Sequence, residues 1–372
     1  MNNNFKLTCP CHFGLESVLK FEVSKIGGQN IVVTDGKVSF EGDQYVLARA
    51  NYCLATAERV LIELAQFKAT TFDDLFYTIK SLPLEDYIGK HDAFIVKGHS
   101  LNSKLSSVPA CQRTLKKGAV ERLCQRYGVT YLEETGANVT IQFAIMKDIC
   151  TISLDTSGTG LHKRGYRRVS NLAPIKETLA AGIVDLARVR PNSIVCDPFC
   201  GSGTILIEAG LKALNIAPGI NRHFDAERWK CIDPKVWKEE RTRAIDLVNR
   251  DATFEAYGYD IDPDAIELTL NNFAKAGIKS KIHARQGDVA GYIPMKDAIT
   301  ICNPPYGERM LEIKEAEELY TIMGECFGKN RENPSYIISP HEDFESFFGK
   351  KADKRRKLYN GMIKCQLYMY FK

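Results

Sequence analysis

The chain has 372 residues, which is enough for two or three domains of ordinary size and for a substantial buried core. Hydrophobic residues make up 44% and charged residues 26%, a globular composition that excludes disordered, collagen-like and low-complexity proteins. The formal net charge of +4 is a weak overall field, so a polyanionic partner would have to be met by local basic patches.

The sequence lacks the marks of membrane, secreted and metal-binding proteins. No apolar run reaches the roughly 18 residues of a spanning helix, and the start of the chain lacks the charged-then-apolar pattern of a signal peptide. We therefore expect a cytoplasmic protein. The 12 cysteines form no C-x-x-C motif and the histidines follow no metal-ligand spacing, so we expect reduced thiols and no metal.

The first part of the chain predicts a ferredoxin-like unit. A strand over 5–9 precedes a helical stripe that ends at two glycines, and the strands on either side of Asp35-Gly36 indicate a hairpin. A short second helix then leads to a strand over 59–64. This β-α-β-β-α-β order is the ferredoxin-like one, and we assign residues 1–66 to this domain.

A second α+β unit is expected from residue 67 to residue 156. Helix, strand, helix and two strands follow one another, and the last two strands are marked by the alternation of Val139, Ile141 and Phe143 with polar residues. The next stretch, 157–172, is rich in turn-forming and basic residues, which is typical of a linker.

Basic side chains cluster in the second unit, in the linker and before the terminal hairpin. Such clusters are usually solvated faces, but with a small net charge they also indicate contacts to a polyanion. We take the following as candidate RNA contacts: Lys97, Lys104, Arg113, Lys116, Lys117, Lys163, Arg164 and Arg167. The cluster near the end of the chain spans 350–357.

Residues 173–372 predict a parallel, doubly wound sheet. Pro174 stands at an expected first helical position, after which strands and helices alternate. The strands are expected at 193–196, 256–259, 281–284, 298–301 and 336–339. Near the end, Asn360-Gly361 marks a tight antiparallel hairpin.

A glycine-rich loop follows the first strand of this sheet. It reads Asp197-Pro198-Phe199-Cys200-Gly201-Ser202-Gly203-Thr204 and precedes a helix, so its backbone can approach a ligand closely, although an ordinary strand-to-helix turn is the alternative. A dinucleotide fingerprint would need a third glycine where Leu206 stands, and a P-loop would need Gly-Lys-Ser/Thr. Asp197 repels phosphate but can accept a hydrogen bond from an ammonium group. The loop therefore fits S-adenosylmethionine, whose methionine end carries an amine.

The ends of the next two strands carry further acidic residues. Asp260 can accept hydrogen bonds from both ribose hydroxyls, whereas Asp262 can instead cap the following helix; we prefer Asp260 for the ribose, with Ile261 beside it. Asp288 can accept from the adenine amino group or can simply be solvated. The long separation of Asp197 from Asp260 indicates an insertion, which carries both tryptophans of the chain.

A second loop, Asn303-Pro304-Pro305-Tyr306, follows the fourth strand. The prolines fix the backbone and remove N–H donors, which leaves the Pro304 carbonyl and the Asn303 amide oxygen as acceptors for an exocyclic NH2 group. Holding both hydrogens aims the nitrogen lone pair at an electrophilic methyl, so alignment supplies much of the catalysis. Tyr306 can stack on a base drawn out of its helix. Alone the loop could be a rigid turn, but its place after the glycine loop and the acidic strand end favours the catalytic interpretation.

Residues from about 160 to the end resemble the amino-methyltransferases that carry DPF-x-GSGT and NPPY loops, a group formerly called adenine-specific DNA methylases. The stretches 162–167, 173–180 and 303–309 are similar as well. The preceding units look like the ferredoxin-like and THUMP domains of bacterial ribosomal RNA guanosine-N2 methyltransferases. The resemblance implies a Rossmann-like class I methyltransferase domain that uses S-adenosylmethionine on guanosine in 23S ribosomal RNA or a ribosomal assembly intermediate.

The resemblance also implies roles for single residues. Cofactor contacts are expected from Asp197, Phe199, Gly201, Gly203, Thr204, Asp260, Ile261 and Asp288, and catalytic contacts to the target base from Asn303, Pro304, Pro305 and Tyr306. Relatives with a second methyltransferase domain are longer, so we expect one modification only. Three alternatives stay open: a transfer RNA guanosine-N2 methyltransferase, an N6-adenine nucleic-acid methyltransferase, and an RNA-binding module with a vestigial catalytic domain.

Overall fold

The computed structural model describes residues 4–167, 175–307, 310–330 and 332–371. Within them the chain forms two seven-stranded sheets. The helical position expected at Pro174 lies outside these residues. In the part of the chain that is described, no helix is long and apolar enough to span a bilayer.

The first sheet begins with the β-α-β-β-α-β order expected from the sequence. Its elements are β1 (Phe5–Pro10), α1 (Glu16–Lys25), β2 (Gln29–Thr34), β3 (Lys37–Gly42), α2 (Gln44–Cys53) and β4 (Leu61–Lys68). Gly36 turns β2 into β3 with φ +72°, in the left-handed region that favours glycine. Asp43 caps α2 by accepting a hydrogen bond from the N–H of Val46 (2.9 Å). The ferredoxin-like prediction is confirmed.

The second unit continues the same sheet. Its elements are α3 (Phe72–Ser81), β5 (Ala93–Leu101), α4 (Val108–Tyr127), β6 (Asn138–Met146) and β7 (Ile149–Asp155). β4 and β7 pair antiparallel, from Leu61 opposite Asp155 to Lys68 opposite Ile149, and this pairing gives the order β2-β3-β1-β4-β7-β6-β5. The two units therefore share one sheet and one hydrophobic core.

The second sheet is the predicted parallel sheet with a terminal antiparallel hairpin. Its elements are α5 (Glu177–Leu186), β8 (Ile194–Asp197), α6 (Thr204–Ala213), α7 (Pro234–Asp246), β9 (Glu255–Asp260), α8 (Pro263–Lys275), β10 (Ile282–Gln286), β11 (Ala298–Cys302), α9 (Met310–Phe327), β12 (Ser335–Ser339), α10 (Phe344–Phe348), β13 (Lys354–Asn360) and β14 (Ile363–Tyr370). The order is β10-β9-β8-β11-β12-β14-β13, with the first five strands parallel. The loops after β8, β9, β10 and β11 thus meet at one edge.

The insertion between α6 and β9 packs against the first sheet. Trp229 and Trp237 are buried in the core of that sheet, and the indole N–H of Trp229 donates to the carbonyl of Asn138 (2.9 Å). On α2, the guanidinium of Arg49 makes two hydrogen bonds to the carboxylate of Glu240 on α7 (2.9 and 2.6 Å). The insertion therefore fastens the methyltransferase unit to the N-terminal units.

The linker is a second contact between the units. Arg164 is only 4% exposed, and its guanidinium donates to the carbonyls of Leu161 (2.7 Å) and Ala55 and pairs with Glu208 on α6 (3.4 Å). This burial corrects the predicted RNA contact at Arg164, because a guanidinium enclosed between two domains cannot reach a phosphate on the surface. Its role is to hold the linker in place.

Candidate active site at the carboxyl edge of the second sheet

A cavity of about 670 Å³ opens where β8, β9, β10 and β11 end. Its volume lies in the ~300–1,000 Å³ range of cofactor sites. The structure brings every predicted cofactor and catalytic residue except Gly203 to the wall of this cavity. Residues far away in the sequence line it too, including Lys176, Leu319, Asn360, Gly361 and Ile363.

Two residues of the glycine loop have left-handed backbone conformations, which favour glycine. Gly201 has φ +50° and Gly203 has φ +77°. A Cβ at Gly203 would lie 2.6 Å from the ring of Phe273 on α8, so this glycine lets the loop turn tightly into α6 instead of lining the cavity. The Thr269 hydroxyl on α8 donates to the carbonyl of Gly201 (2.5 Å). This hydrogen bond was not predicted from the sequence, because it depends on how α8 packs against α6 and the loop before it.

Asp197 lies buried at the end of β8, where its Oδ1 accepts a hydrogen bond from the N–H of Phe199 (3.0 Å). Burial raises the pKa of Asp197 to about 8; the N–H of Phe199 opposes this rise and the negative charge of Asp260 adds to it. A cation beside this carboxyl would stabilise its ionised form. The electrostatics therefore fit the ammonium group of a methionine end.

The acidic residues at the ends of β9 and β10 differ in whether they line the cavity. Asp260 lines the cavity, and its carboxylate accepts the N–H of Gly201 (2.9 Å) and of Asp262 (3.0 Å). Asp262 caps α8 and is not part of the cavity wall. Asp288 lines the cavity and also accepts the N–H of Ala290 (2.9 Å), which caps a short turn. The geometry thus favours Asp260 over Asp262 as the ribose acceptor.

The Asn-Pro-Pro-Tyr loop is held by residues from two distant elements. The Tyr306 hydroxyl donates to Asn303 Oδ1 and accepts a hydrogen bond from Asn360 Nδ2 (3.2 Å) in the hairpin turn. Behind the loop, Tyr320 on α9 is fully buried and donates to the carbonyl of Pro305 (3.0 Å). Burial raises the pKa of Tyr306 well above its usual value, so the hydroxyl stays neutral. Sequence reasoning missed Tyr320 and Asn360, because only the fold brings them to the loop.

The remaining predicted RNA contacts differ in accessibility. Five have exposed side chains: Lys97, Lys104, Arg113, Lys117 and Lys163. Lys116 is partly buried and pairs with Glu134. The side chain of Arg167 is only 11% exposed; it pairs with Glu177 (3.0 Å) and donates to the Thr204 hydroxyl (3.2 Å). This geometry corrects the prediction for Arg167, which braces the linker against the glycine loop instead of offering a charge to RNA.

A parallel sheet whose carboxyl edge joins a glycine loop, a buried carboxyl and an Asn-Pro-Pro-Tyr loop in one cavity defines a class I methyltransferase. Comparison with known families agrees. The chain matches an RMKL-like methyltransferase domain over 164–369, an RlmL ferredoxin-like domain over 6–61 and a THUMP domain over 69–155. The chain belongs to the THUMP-containing, RlmL-like family of RNA methyltransferases.

Individual relatives support this assignment. The chain is 41% identical to YpsC of Bacillus subtilis, over 99% of this chain and 96% of that protein. It is 32% identical to the ribosomal RNA large subunit methyltransferase K/L of Psychromonas ingrahamii, over 97% of this chain but only 49% of that protein. The solved structure of SMU.472, complexed with S-adenosylhomocysteine, is 35% identical, covers 100% of this chain and 99% of its own, and superposes with a TM-score of 0.94. The predicted S-adenosylmethionine cofactor is thereby confirmed.

Proposed function

We propose that this chain transfers a methyl group from S-adenosylmethionine to the exocyclic N2 amine of guanosine in large-subunit ribosomal RNA. One observation carries the proposal. A single cavity has three acidic residues at one end, of which Asp197 is buried, and the acceptors of the Asn-Pro-Pro-Tyr loop at the other, so a methyl donor and an amine can meet between them. Because large-subunit RNA is made and assembled in the bacterial cytoplasm, the proposal places the chain there.

Each end of the cavity has a defined task. S-adenosylmethionine supplies an electrophilic methyl on a sulfonium. Asp197 would hold its amine, Asp260 its ribose hydroxyls and Asp288 its adenine amino group. Asn303 Oδ1 and the Pro304 carbonyl would accept the two hydrogens of the guanine amine, which aims the nitrogen lone pair at the methyl. The N–C bond then forms as the C–S bond breaks, and the amine loses a proton to solvent.

The base and the RNA of this proposal rest on separate considerations. Guanosine is favoured because the sequence resembles guanosine-N2 methyltransferases. Large-subunit RNA is favoured because a relative that matches nearly this whole chain is named as a ribosomal RNA large subunit methyltransferase. The test is to treat large-subunit RNA, transfer RNA and DNA with the purified chain and isotope-labelled cofactor, and to identify the product nucleosides by mass spectrometry. N2-methylguanosine in large-subunit RNA supports the proposal. N6-methyladenosine, or methylation of transfer RNA alone, refutes it.

Affinity for RNA is proposed to come from the exposed basic side chains of the THUMP unit and the linker. Lys97→Ala and Lys117→Ala should each remove one phosphate contact, so the slope of log affinity against log salt should fall by about 0.7 on single-stranded RNA. Lys238→Ala provides the matched control, since Lys238 is an exposed lysine on α7, outside the proposed surface. Equal effects of the three variants would contradict the assignment.

A further inference from the structure

The turn between β13 and β14 forms one rim of the cavity. Asn360, Gly361 and Ile363 line the cavity beside the Asn-Pro-Pro-Tyr loop. Asn360 pairs directly with Ile363 across the two strands, so the turn has only two residues between them. The second of these, Met362, is 96% exposed and is not part of the cavity wall. Its side chain therefore projects into solvent from the rim beside the target-base end.

The turn is held firmly in this position. Asn360 Nδ2 donates to the Tyr306 hydroxyl (3.2 Å), which ties the turn to the catalytic loop. From the N-terminal unit, the ring of Phe13 packs edge-on against Tyr359 with centroids 6.0 Å apart. An added Cβ at Gly14 would lie 2.3 Å from the carbonyl oxygen of Lys357, so the backbones of the two units are in close contact beside β13. The projection of Met362 is thus set by contacts on both sides of the hairpin.

The surroundings of Met362 are basic. Lys364 follows the turn on β14 and Lys357 lies on β13, and both side chains are exposed. Exposed lysines on the two strands of this hairpin can neutralise phosphates of an RNA strand whose base enters the cavity. An apolar tip on a hairpin that carries exposed lysines matches the composition of a nucleic-acid wedge, in which an apolar side chain enters the base stack and basic residues contact the backbone.

We infer that Met362 is a wedge that enters the RNA base stack at the place vacated by the target nucleotide. The inference rests on the proposed function and adds a substrate class: the target base lies in a stacked, base-paired region and is extruded for methylation. Extrusion costs unstacking and unpairing free energy, which is least for a nucleotide that is already unpaired. An inserted apolar side chain offsets this cost by refilling the gap. Met362 should therefore matter for paired targets far more than for unpaired ones.

The test compares two RNAs that share the target strand mapped by mass spectrometry. In one, the target guanosine is paired within a hairpin; in the other, the opposing nucleotide is abasic. Single-turnover methylation is measured for the wild-type chain, Met362→Ala, Met362→Leu and Ile245→Ala, the last replacing an exposed apolar side chain on α7 (40% exposed). Met362→Ala should lower the rate on the paired RNA about tenfold more than on the abasic RNA. Met362→Leu should restore most of the loss, and Ile245→Ala should change neither rate.

The outcomes separate this inference from the proposed function. Methylation by the wild-type chain together with an equal loss on both RNAs, or no loss on either, would overturn the wedge while the proposed function stands. A mapped target in an unpaired, unstacked segment would also overturn it. If the wild-type chain methylates guanosine in neither RNA nor in large-subunit RNA, the proposed function fails, and the wedge fails with it.

Discussion

The two ends of the cavity are built in different ways. At the cofactor end, Asp197, Asp260 and Asp288 each lie where a strand of the parallel sheet stops or just beyond it, so each residue is placed by its own local segment. At the target end, the Asn303–Tyr306 loop is held by α9 and by a hairpin turn 54 residues further along the chain. The first end can be inferred from local sequence, whereas the second exists only once the chain has folded.

The two ends also differ in electrostatics. The cofactor end contains three carboxyl groups, of which Asp197 is buried, and burial raises the pKa of Asp197 to about 8. The target end offers neutral acceptors and a tyrosine whose pKa is raised by burial. The pH dependence of the enzyme should therefore arise in cofactor binding, while the chemical step depends on alignment alone.

Asn303→Ala should give the largest effect and separate the two ends most sharply. It removes an acceptor that matters most as the amine attacks the methyl, so the single-turnover rate should fall on the order of 10²-fold or more, as when one preorganised polar group is lost. The affinity for S-adenosylhomocysteine, measured by calorimetry, should change less than about twofold because Asn303 lies at the other end of the cavity. Equal losses of rate and affinity would show that the two ends are not independent.

Asp260→Ala should weaken cofactor binding with little effect on the bound chemistry. Loss of charge-assisted hydrogen bonds worth about 1.5–3 kcal/mol corresponds to roughly a 10- to 150-fold increase in the dissociation constant of S-adenosylhomocysteine. Asp262→Ala is the matched control: it should cost about 1 kcal/mol of stability through the lost helix cap and leave affinity nearly unchanged. A larger loss of affinity in Asp262→Ala would transfer the ribose role to that residue.

The affinity for S-adenosylhomocysteine should rise with pH from 6 to about 8. Below pH 8 the Asp197 carboxyl is largely protonated in the free protein, so pairing with an ammonium group must release a proton, and affinity can rise by up to about tenfold per pH unit. Near pH 8 the rise should end, because above its own pKa the Asp197 carboxyl of the free protein is already ionised and binding no longer releases a proton. Calorimetry across this range should show a flat, weaker profile for Asp197→Asn. A rising profile in that variant would contradict the assignment.

The raised pKa of Asp197 also has a consequence for stability. Because the folded-state pKa of about 8 lies above the ordinary aspartate pKa of 3.8, the protonated carboxyl favours the folded state, and this contribution is lost as the pH rises from about 4 to about 8. Asp197→Asn should therefore raise the melting temperature of the free protein at pH 8 while it weakens cofactor binding. A lower melting temperature would show that the ionised carboxylate is well stabilised without a ligand.

Tyr320→Phe should give the smallest effect, and it tests whether the support behind the catalytic loop matters. Loss of its hydrogen bond to the Pro305 carbonyl should lower the turnover number by about 2- to 10-fold, from a net hydrogen-bond worth of ~0.5–1.5 kcal/mol. Cofactor affinity should stay unchanged. Tyr336→Phe, at another buried tyrosine of the same unit, should keep full turnover; equal losses in the two variants would indicate general destabilisation.

The sequence predicted the parts that depend on local chemistry. The parallel arrangement of the second sheet follows from alternating strands and helices, and the two loops are recognisable by their glycines and prolines. For Tyr306 the sequence predicted only stacking of its ring on the target base. Ring stacking alone would make Tyr306→Phe harmless, but its hydroxyl orients Asn303 and bonds to Asn360, so we now expect that variant to lose a few-fold in turnover.

Long-range contacts were beyond sequence reasoning. The pairing of β4 with β7 joins two units that each look self-sufficient in sequence. The docking of Trp229 and Trp237 depends on a surface formed by a distant segment. Arg164 stands in a basic stretch that is typical of a solvated linker, yet a planar guanidinium can be buried where a carboxylate and carbonyls accept its hydrogens. In each case the deciding partner lies far away in the chain.

A crystal structure with S-adenosylhomocysteine and the mapped RNA target would show directly which groups the two ends of the cavity hold. We expect the ligand's ammonium nitrogen at about 3 Å from the Asp197 carboxylate, and the guanine N2 atom at about 3 Å from both Asn303 Oδ1 and the Pro304 carbonyl oxygen. A cofactor seated away from Asp197, or a target base that presents another atom to Asn303, would contradict this expectation.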